Sequence, residues 1–491
     1  MIMKKLNDLL QEFPYTLVKG SLDTDVSDII YDSRKVKENS AFLCISGTTV
    51  DAHKFIPDAV AKGASVIIIE KDVEVEGDVT VIRVDSARKA LAFLAAAYFD
   101  YPAKKLTTIG LTGTKGKTTT TYMVEAILKH AGKKVGVIGT IGAVVDGKQY
   151  HTDNTTPESY EVQYLMSEMV KAGCEYMVME VSSQGLMMNR VDGFTFDYGV
   201  FTNLSPDHIG PNEHKDLDEY IYYKSLLFQR CKVGFFNADD EHLNDILKGH
   251  TCKVKTFGFS ENADLRASDD HLLNENGHLG IKFNLSGDIN APMIVNIPGK
   301  FSVYNALVAL SISNALGIPV EDMQAALKVI KVKGRVEIVP ISKDYTILID
   351  YAHNAMSMES ILETLREYNP GRLVSLFGCG GNRSKLRRYE MGETSGKMAD
   401  LSIITADNNR FEDIKDILAD IKIGLAKTDG KFVEIEDRTD AIHYAIDHAQ
   451  PGDIIALLGK GHEEYIDVKG VKSHYSEREI IEAYAKSKGM I

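Results

Sequence analysis

Leu106-Thr107-Thr108-Ile109-Gly110-Leu111-Thr112-Gly113-Thr114-Lys115-Gly116-Lys117-Thr118-Thr119 decides how this chain folds. The apolar run over 106–111 reads as a buried strand. A loop of glycine, threonine and lysine follows, then a helical pattern over 118–130 that Gly132 stops. The next apolar run, 135–138, is again a strand. Strand, helix, strand in this order is a crossover unit and commits this part of the chain to a parallel sheet. A glycine-rich turn between strand and helix lets backbone N–H groups converge on phosphate oxygens, and the helix N-terminus adds positive partial charge. Gly113, Thr114, Lys115, Gly116, Lys117, Thr118 and Thr119 are therefore read as a phosphate-binding run, with Lys117 reaching the terminal phosphates and Thr118 a ligand of Mg2+. The spacing is not the strict P-loop one, because Leu111 stands where that motif has its first glycine.

Downstream, a strand over 176–179 ends in Glu180, and a strand over 198–201 leads into a loop, 202–208, that ends in His208. A carboxylate closing a buried strand beside a phosphate loop is suited to hold a nucleotide's metal. Taken singly, Glu180 reads as a solvated strand end and His208 as a satisfied loop histidine. The region 251–298, rich in Asn, Asp and Gly, suggests short antiparallel strands before a helix over 304–316. A third block starts near 331–334. Its strands, 346–349, 373–377, 401–405 and 454–458, each run into a glycine-rich or polar loop, at 350–354, 378–383, 407–410 and 459–463. In open α/β sheets ligands sit at the carboxyl ends of strands, so these four loops mark an active-site edge. Before the phosphate loop, strands over 41–45, 65–69 and 79–84 alternate with helical patterns over 58–63 and 86–98, and the polar stretch 100–105 reads as a linker. The expectation is an α/β protein of three domains, 1–100, 101–332 and 333–491. The central one is a P-loop ATPase-like parallel sheet and the last is Rossmann-like.

Composition narrows the class. The 491 residues are 44% hydrophobic and 26% charged, as in a soluble globular protein. A net charge of −14 argues against a broad basic face for nucleic acid. The five cysteines form no CxxC pair, which suggests neither a zinc knuckle nor a disulfide framework and fits a reducing compartment. The first ten residues lack the apolar core of a secretory signal, and the longest apolar run, 91–99, is far too short for a membrane span. A cytoplasmic protein without membrane insertion is expected.

The ordered set of motifs resembles the Mur ligases, and within them those that add the third residue of the stem peptide. The residues that carry it are 112–120, Asn154-Thr155-Thr156-Pro157-Glu158, 180–184, 202–208, 220–228, Asn305, Gly334-Arg335, Asp350-Tyr351-Ala352-His353, 378–383, 407–410 and 459–463, with Tyr31-Asp32-Ser33-Arg34 and Asp51-Ala52-His53 near the start. The resemblance implies a uridine-nucleotide domain, an ATP domain and an amino-acid domain, and a monomer. It implies ATP-driven amide-bond formation on UDP-N-acetylmuramoyl-L-alanyl-D-glutamate through an acyl phosphate, in peptidoglycan precursor synthesis. The amine is that of a diamino acid, meso-diaminopimelate first and L-lysine second.

Residue by residue, the resemblance assigns Ser33 and Arg34 to the uridine nucleotide, and Thr155, Thr156, Ser182 and Arg190 to the UDP-sugar and its peptide. Lys117, Thr118, Glu180 and His208 fall on ATP and Mg2+ positions; Asn305, Arg335 and Asp350 surround the base and ribose. Arg383, Asn408, Arg410, Gly459 and Glu463 form the amino-acid pocket. Lys224 falls where the family carries a carbamylated lysine that ligands a metal. From the residues alone it would pass for a surface cation with its stem laid along the helix.

Four departures stand out: Asn354-Ala355-Met356 replaces the family's Thr-Pro-Asp, Gln184 stands where many members have His, Tyr223 replaces a usual small residue before Lys224, and Asn409 replaces a proline. Three other readings compete. A P-loop kinase or GTPase would leave the last domain's loops unexplained. Another amide ligase of the superfamily, such as a folylpolyglutamate synthetase, would not need the Asp-Ser-Arg motif, and a catalytically divergent binding homologue would not need the joint retention of Lys117, Glu180, Lys224 and Arg335.

Overall fold

The computed structural model describes residues 3–47, 50–207, 209–210, 213–275 and 278–491. The chain divides into two compact units, Met1–Arg266 with Val308–Pro319, and Ala267–Leu307 with Val320–Ile491.

Among the described residues the first unit holds a short antiparallel pair, Lys4–Lys5 with Asp25–Val26, and two larger sheets. The smaller runs Thr16–Lys19, Thr80–Arg83, Val66–Ile69, Ser40–Leu43, Asp28–Ile30, parallel except for its first pair. Its strand Val66–Ile69 is buried on both faces, as a run of Val-Ile-Ile-Ile between two helical layers requires. The larger runs Lys148–Tyr150, Gly142–Val145, Val135–Gly139, Tyr176–Glu180, Thr107–Thr112, Phe196–Phe201, Cys231–Asn237, Lys253–Gly258, and continues into a strand that begins at Leu265. From Val135–Gly139 to Lys253–Gly258 every neighbour is parallel. Thr107–Thr112 thus lies between Tyr176–Glu180 and Phe196–Phe201, so the phosphate loop at its end is flanked by the Glu180 and Thr202 loops. A tyrosine joins the two sheets' layers. Tyr160, on the helix Ser159–Lys171, donates to Asp28 at 2.6 Å and meets Phe99 edge-on. Gly193 passes over the helix Ala87–Tyr98 so closely that a Cβ would lie 2.6 Å from the Ala92 carbonyl oxygen.

In the second unit the sheet order is Glu337–Ile338, Thr346–Asp350, Ile454–Leu458, Leu373–Phe377, Leu401–Ile404, Phe432–Glu434, parallel after an antiparallel first pair. Its inner strands are mostly apolar and almost wholly buried, and pack on Ile442, Ala445, Ile446 and Ile481. The same unit carries an antiparallel pair, His278–Gly287 with Ala291–Val295.

The α/β class and the crossover unit match the sequence reading, with differences at the edges. The stretch Lys253–Gly258, expected to be antiparallel, adds instead to the parallel ladder beside Cys231–Asn237, whose outer edge would otherwise go unpaired. The helix expected over 304–316 starts a turn earlier, at Lys300. No helix among the described residues is long and apolar enough to cross a membrane.

One buried ion pair ties the second unit's strand ends together. Arg438 begins the helix Arg438–Asp447. It donates to Glu477 at 2.8 Å and to the carbonyls of Ala406 and Leu458, each at 3.0 Å. Both charges are essentially inaccessible to water. Removing one partner strands the other charge, which costs about 3–5 kcal/mol. Arg438→Ala should therefore lower the thermal unfolding midpoint clearly, as followed by circular dichroism; an unchanged melt would contradict this role.

Candidate active site

The phosphate loop is built on two left-handed glycines. Gly113 has φ +146°, and a Cβ there would sit 1.9 Å from Thr202 Oγ1; Gly116, at φ +83°, precedes the helix Lys117–His130. The neighbouring strand's loop holds the turn. Thr114 N–H donates to the Asn203 carbonyl at 2.9 Å, Lys115 N–H to Asn203 Oδ1 at 2.9 Å, and Thr202 Oγ1 to the Lys115 carbonyl at 2.8 Å. Lys117 folds back over the loop, donating to the carbonyls of Gly113 at 2.7 Å and Thr114 at 3.1 Å.

Lys224 reaches the same place from the helix Leu217–Ser225. It is buried, donates to the Gly113 carbonyl at 2.9 Å, and lies 4.5 Å from the centre of the Tyr220 ring. Burial first, then the positive charge of Lys117, pushes its ammonium well below the ordinary lysine range, against a weaker pull from Asp207. The surface-cation reading of this lysine is therefore replaced by a buried amine biased towards its neutral form.

Glu180 is also buried. Its carboxylate accepts from Thr118 Oγ1 at 3.0 Å, from the Thr140 N–H at 2.9 Å and from Thr140 Oγ1 at 3.1 Å. Oxygen donors of this kind suit a hard divalent cation. His208 lies outside the described residues. Among the described residues, no group of three or more His, Cys, Asp or Glu side chains is arranged to hold a metal.

Next to Glu180 gather Thr155 and Thr156, which precede the helix Ser159–Lys171, and Ser182 and Arg190, which flank the helix Ser183–Met187. Thr155 Oγ1 is 3.1 Å from Thr140 Oγ1, and Thr156 Oγ1 links the Glu180 carbonyl to the Ser182 N–H, each at 2.9 Å. Ser182 caps the helix Ser183–Met187. Arg190 donates to the Thr156 carbonyl at 3.0 Å and pairs with Glu158 at 2.9 Å. Ser33 and Arg34 occupy a separate short turn, with Arg34 exposed and held by Asp32 at 2.8 Å.

In the second unit, Asn305 is buried in the helix Lys300–Ala315. The Asp350 carboxylate accepts from the Val336 N–H at 2.8 Å and the Ala352 N–H at 2.9 Å, and the Arg335 guanidinium lies 5.0 Å from the centre of the Tyr351 ring. Gly334 packs on the loop after Ile454–Leu458, where a Cβ would be 2.0 Å from His462 N. The loops after Leu373–Phe377 and Leu401–Ile404 cross at Gly381, where a Cβ would be 1.8 Å from the Asn409 carbonyl oxygen. Asn408 donates to Glu463 at 2.8 Å, and Arg410 donates to the Gly381 carbonyl at 2.6 Å. Arg410 itself is left-handed at φ +51°, stitched by backbone bonds to Asp467 and Lys469. Gly459, at φ +111°, lies over Asp407. Arg383 is exposed at the rim.

Three family models match: the Mur ligase family catalytic domain at residues 25–99, the Mur ligase middle domain at 111–313, and the Mur ligase glutamate ligase domain at 334–461. A protein of Caldanaerobacter subterraneus named UDP-N-acetylmuramoyl-L-alanyl-D-glutamate--2,6-diaminopimelate ligase is 41% identical over 97% of this chain and 98% of its own. The chain belongs to the Mur ligase family. A Clostridium perfringens protein of the same name is 40% identical over 97% of this chain and 98% of its own. A solved structure of a diaminopimelate ligase so named superposes with a TM-score of 0.73 at 26% identity, covering 99% of this chain and 100% of the other.

Seen as a Mur ligase, the chain explains one of its departures. Asn354, in place of the family's threonine, caps the helix Ala355–Arg366 by accepting from the Ser357 N–H at 2.9 Å. Thr140 went unread in the sequence, although Gly139-Thr140 closes the strand adjacent to Glu180. A Cβ on Gly139 would stand 2.3 Å from Glu180 Oε1, so the glycine makes room for that carboxylate.

His462 gives this Mur ligase an acid sensitivity. Burial first, then the charges of Arg335, Lys333 and His353, lower its imidazole from 6.5 to about 4. Between those values the unfolded chain binds a proton that the folded one does not. Stability is thus lost as pH falls through this window and levels off below it. A His462→Gln variant should show a flatter loss between pH 6.5 and about 4 in denaturant titrations. Parallel curves for parent and variant would refute it.

Proposed function

We propose that this Mur ligase uses ATP to join diaminopimelate to UDP-N-acetylmuramoyl-L-alanyl-D-glutamate. The observation that carries the reading is the convergence of Lys117 and Lys224 on one phosphate-loop carbonyl beside a buried, hydroxyl-bound Glu180. The similarity to ligases named for that acceptor and that amino acid extends over nearly the full chain and supports the choice of substrates.

In the first step the glutamyl side-chain carboxylate attacks the γ-phosphorus of ATP, giving an acyl phosphate and ADP. In the second the amine of the incoming amino acid attacks the acyl carbon, and inorganic phosphate leaves. Two anions must meet in the first step, so positive charge has to be concentrated where they meet. Lys117 supplies it from the protein, and the N-terminus of the helix Lys117–His130 adds positive partial charge. Thr118, Glu180, His208 and a carbamylated Lys224 would hold Mg2+, which when bound neutralises phosphate charge. Glu180 and the Thr118 hydroxyl fit that ion as oxygen donors. Lys224 fits only once its neutral amine has added CO2 and lost a proton, which gives a carboxylate-like anion and keeps one N–H for the Gly113 carbonyl.

Thr155, Thr156, Ser182 and Arg190, with Ser33 and Arg34, are proposed to hold the UDP-sugar. Asn305, Arg335 and Asp350 are proposed for the nucleotide's base and ribose. Arg383, Asn408, Arg410, Gly459 and Glu463 are proposed for the amino acid, with Glu463 taking its distal ammonium and Arg410 its distal carboxylate.

The direct test is phosphate release from ATP with the UDP-muramoyl-dipeptide, with and without diaminopimelate. Amino-acid-dependent release supports the reading, and its absence defeats it.

Lys224→Ala should lower turnover at least about tenfold, as loss of a metal-supporting group does. Added formate or acetate should restore part of it by standing in for the carbamate. A fully active Lys224→Ala enzyme would exclude the carbamate.

Diaminopimelate carries a distal carboxylate that lysine lacks. The parent should therefore show a higher kcat/KM for diaminopimelate than for L-lysine, and Arg410→Ala should shrink that ratio at least about tenfold. A parent that prefers lysine, or a ratio unmoved by the substitution, would rule out the clamp.

A further inference from the structure

Lys460 follows the strand Ile454–Leu458 and is completely buried. Its Nζ donates to Asn408 Oδ1 at 3.3 Å, and it lies 3.7 Å from Asp407 and 3.6 Å from Glu463 Oε2. Asn408 Oδ1 also accepts from the Asp467 N–H at 2.9 Å. Two donors on that oxygen fix the amide so that its NH2 end faces Glu463, where it donates to the same Oε2 at 2.8 Å. Lys460 and Asn408 therefore both engage Oε2 and leave Oε1 to a ligand.

The surrounding charges do not balance. Asp407, Glu463 and Glu477 are met by Lys460 and Arg438, so one carboxylate is in excess in a largely buried cluster. A buried charge in excess demands a proton or a cation. The groups that face Glu463 are Lys460 from its own loop, Asp407 and Asn408 from the loop after Leu401–Ile404, Tyr351 from the loop after Thr346–Asp350, and Tyr465 from the strand Tyr465–Val468. Burial raises the Glu463 carboxyl above the ordinary range, and Lys460 is the largest influence opposing that rise.

We propose that Lys460 is a positioning residue for the added amino acid: it locks the Asn408 amide and holds Glu463 as a carboxylate with Oε1 presented to the ligand's ammonium group. This rests on the amino-acid pocket given under Proposed function. The ammonium then supplies the cation that the cluster lacks.

The test is steady-state kinetics of the full chain, varying diaminopimelate, ATP and the UDP-muramoyl-dipeptide in turn, for the parent, Lys460→Met and Lys460→Gln. In Lys460→Met the KM for diaminopimelate should rise at least about tenfold, while the KM values for the other two substrates stay within about twofold. The acid limb of kcat/KM for diaminopimelate should move to higher pH, because a carboxyl without its neighbouring cation keeps its proton longer. Lys460→Gln retains a donor for Asn408 without the charge. It should show the same shift of the limb with a smaller rise in KM, and it carries the test if the methionine variant does not fold. A limb that stays in place, or equal changes in all three KM values, overturns the positioning role while leaving the ligase reading intact. A parent without diaminopimelate-dependent phosphate release overturns both.

Discussion

The carbonyl oxygen of Gly113 accepts from two lysines, Lys117 at 2.7 Å and Lys224 at 2.9 Å. Two ammonium groups cannot both remain charged around one buried acceptor without a large electrostatic cost. Burial first, and then the charge of Lys117, lowers the Lys224 ammonium well below the ordinary lysine range. A neutral amine is the chemical requirement for adding CO2, the modification proposed above for Lys224. The arrangement depends on the absence of a side chain at 113, because Thr202 occupies the space a Cβ would need.

The same logic recurs in the second unit. Glycines at 334, 378, 381 and 459 let the strand-end loops cross within contact of one another's backbone. The close crossings bring Asp407, Asn408, Lys460 and Glu463 together from two loops. Arg438 pairs with Glu477, and Lys460 is shared between Asp407 and Glu463, which leaves the cluster one cation short.

Much of this was legible in the chain. Short aliphatic runs ending in glycine or polar loops specify a parallel sheet and its ligand edge, because a strand covered by helices on both faces must be apolar along its whole length. The Gly/Thr/Lys loop named the phosphate site for a local reason: its conformation and its helix start are fixed by neighbours in sequence. Strands and helices without such a signature were harder to read. Cys231–Asn237 mixes lysine, glycine and asparagine with its aromatics, and the hairpin Gly142–Val145 with Lys148–Tyr150 is too short to show a period.

The sequence by itself determined the order of elements, the phosphate loop, and the set of polar residues at the strand ends, since these depend on local pattern and spacing. Only the tertiary structure decided which charges are buried and whom they meet. Lys224 on its helix and Lys460 in its loop look, as letters, like any solvated lysine. Their neutral bias or fixed geometry arises from residues more than a hundred positions away in one case and about fifty in the other. Burial is a property of the packed chain, and no local pattern encodes it.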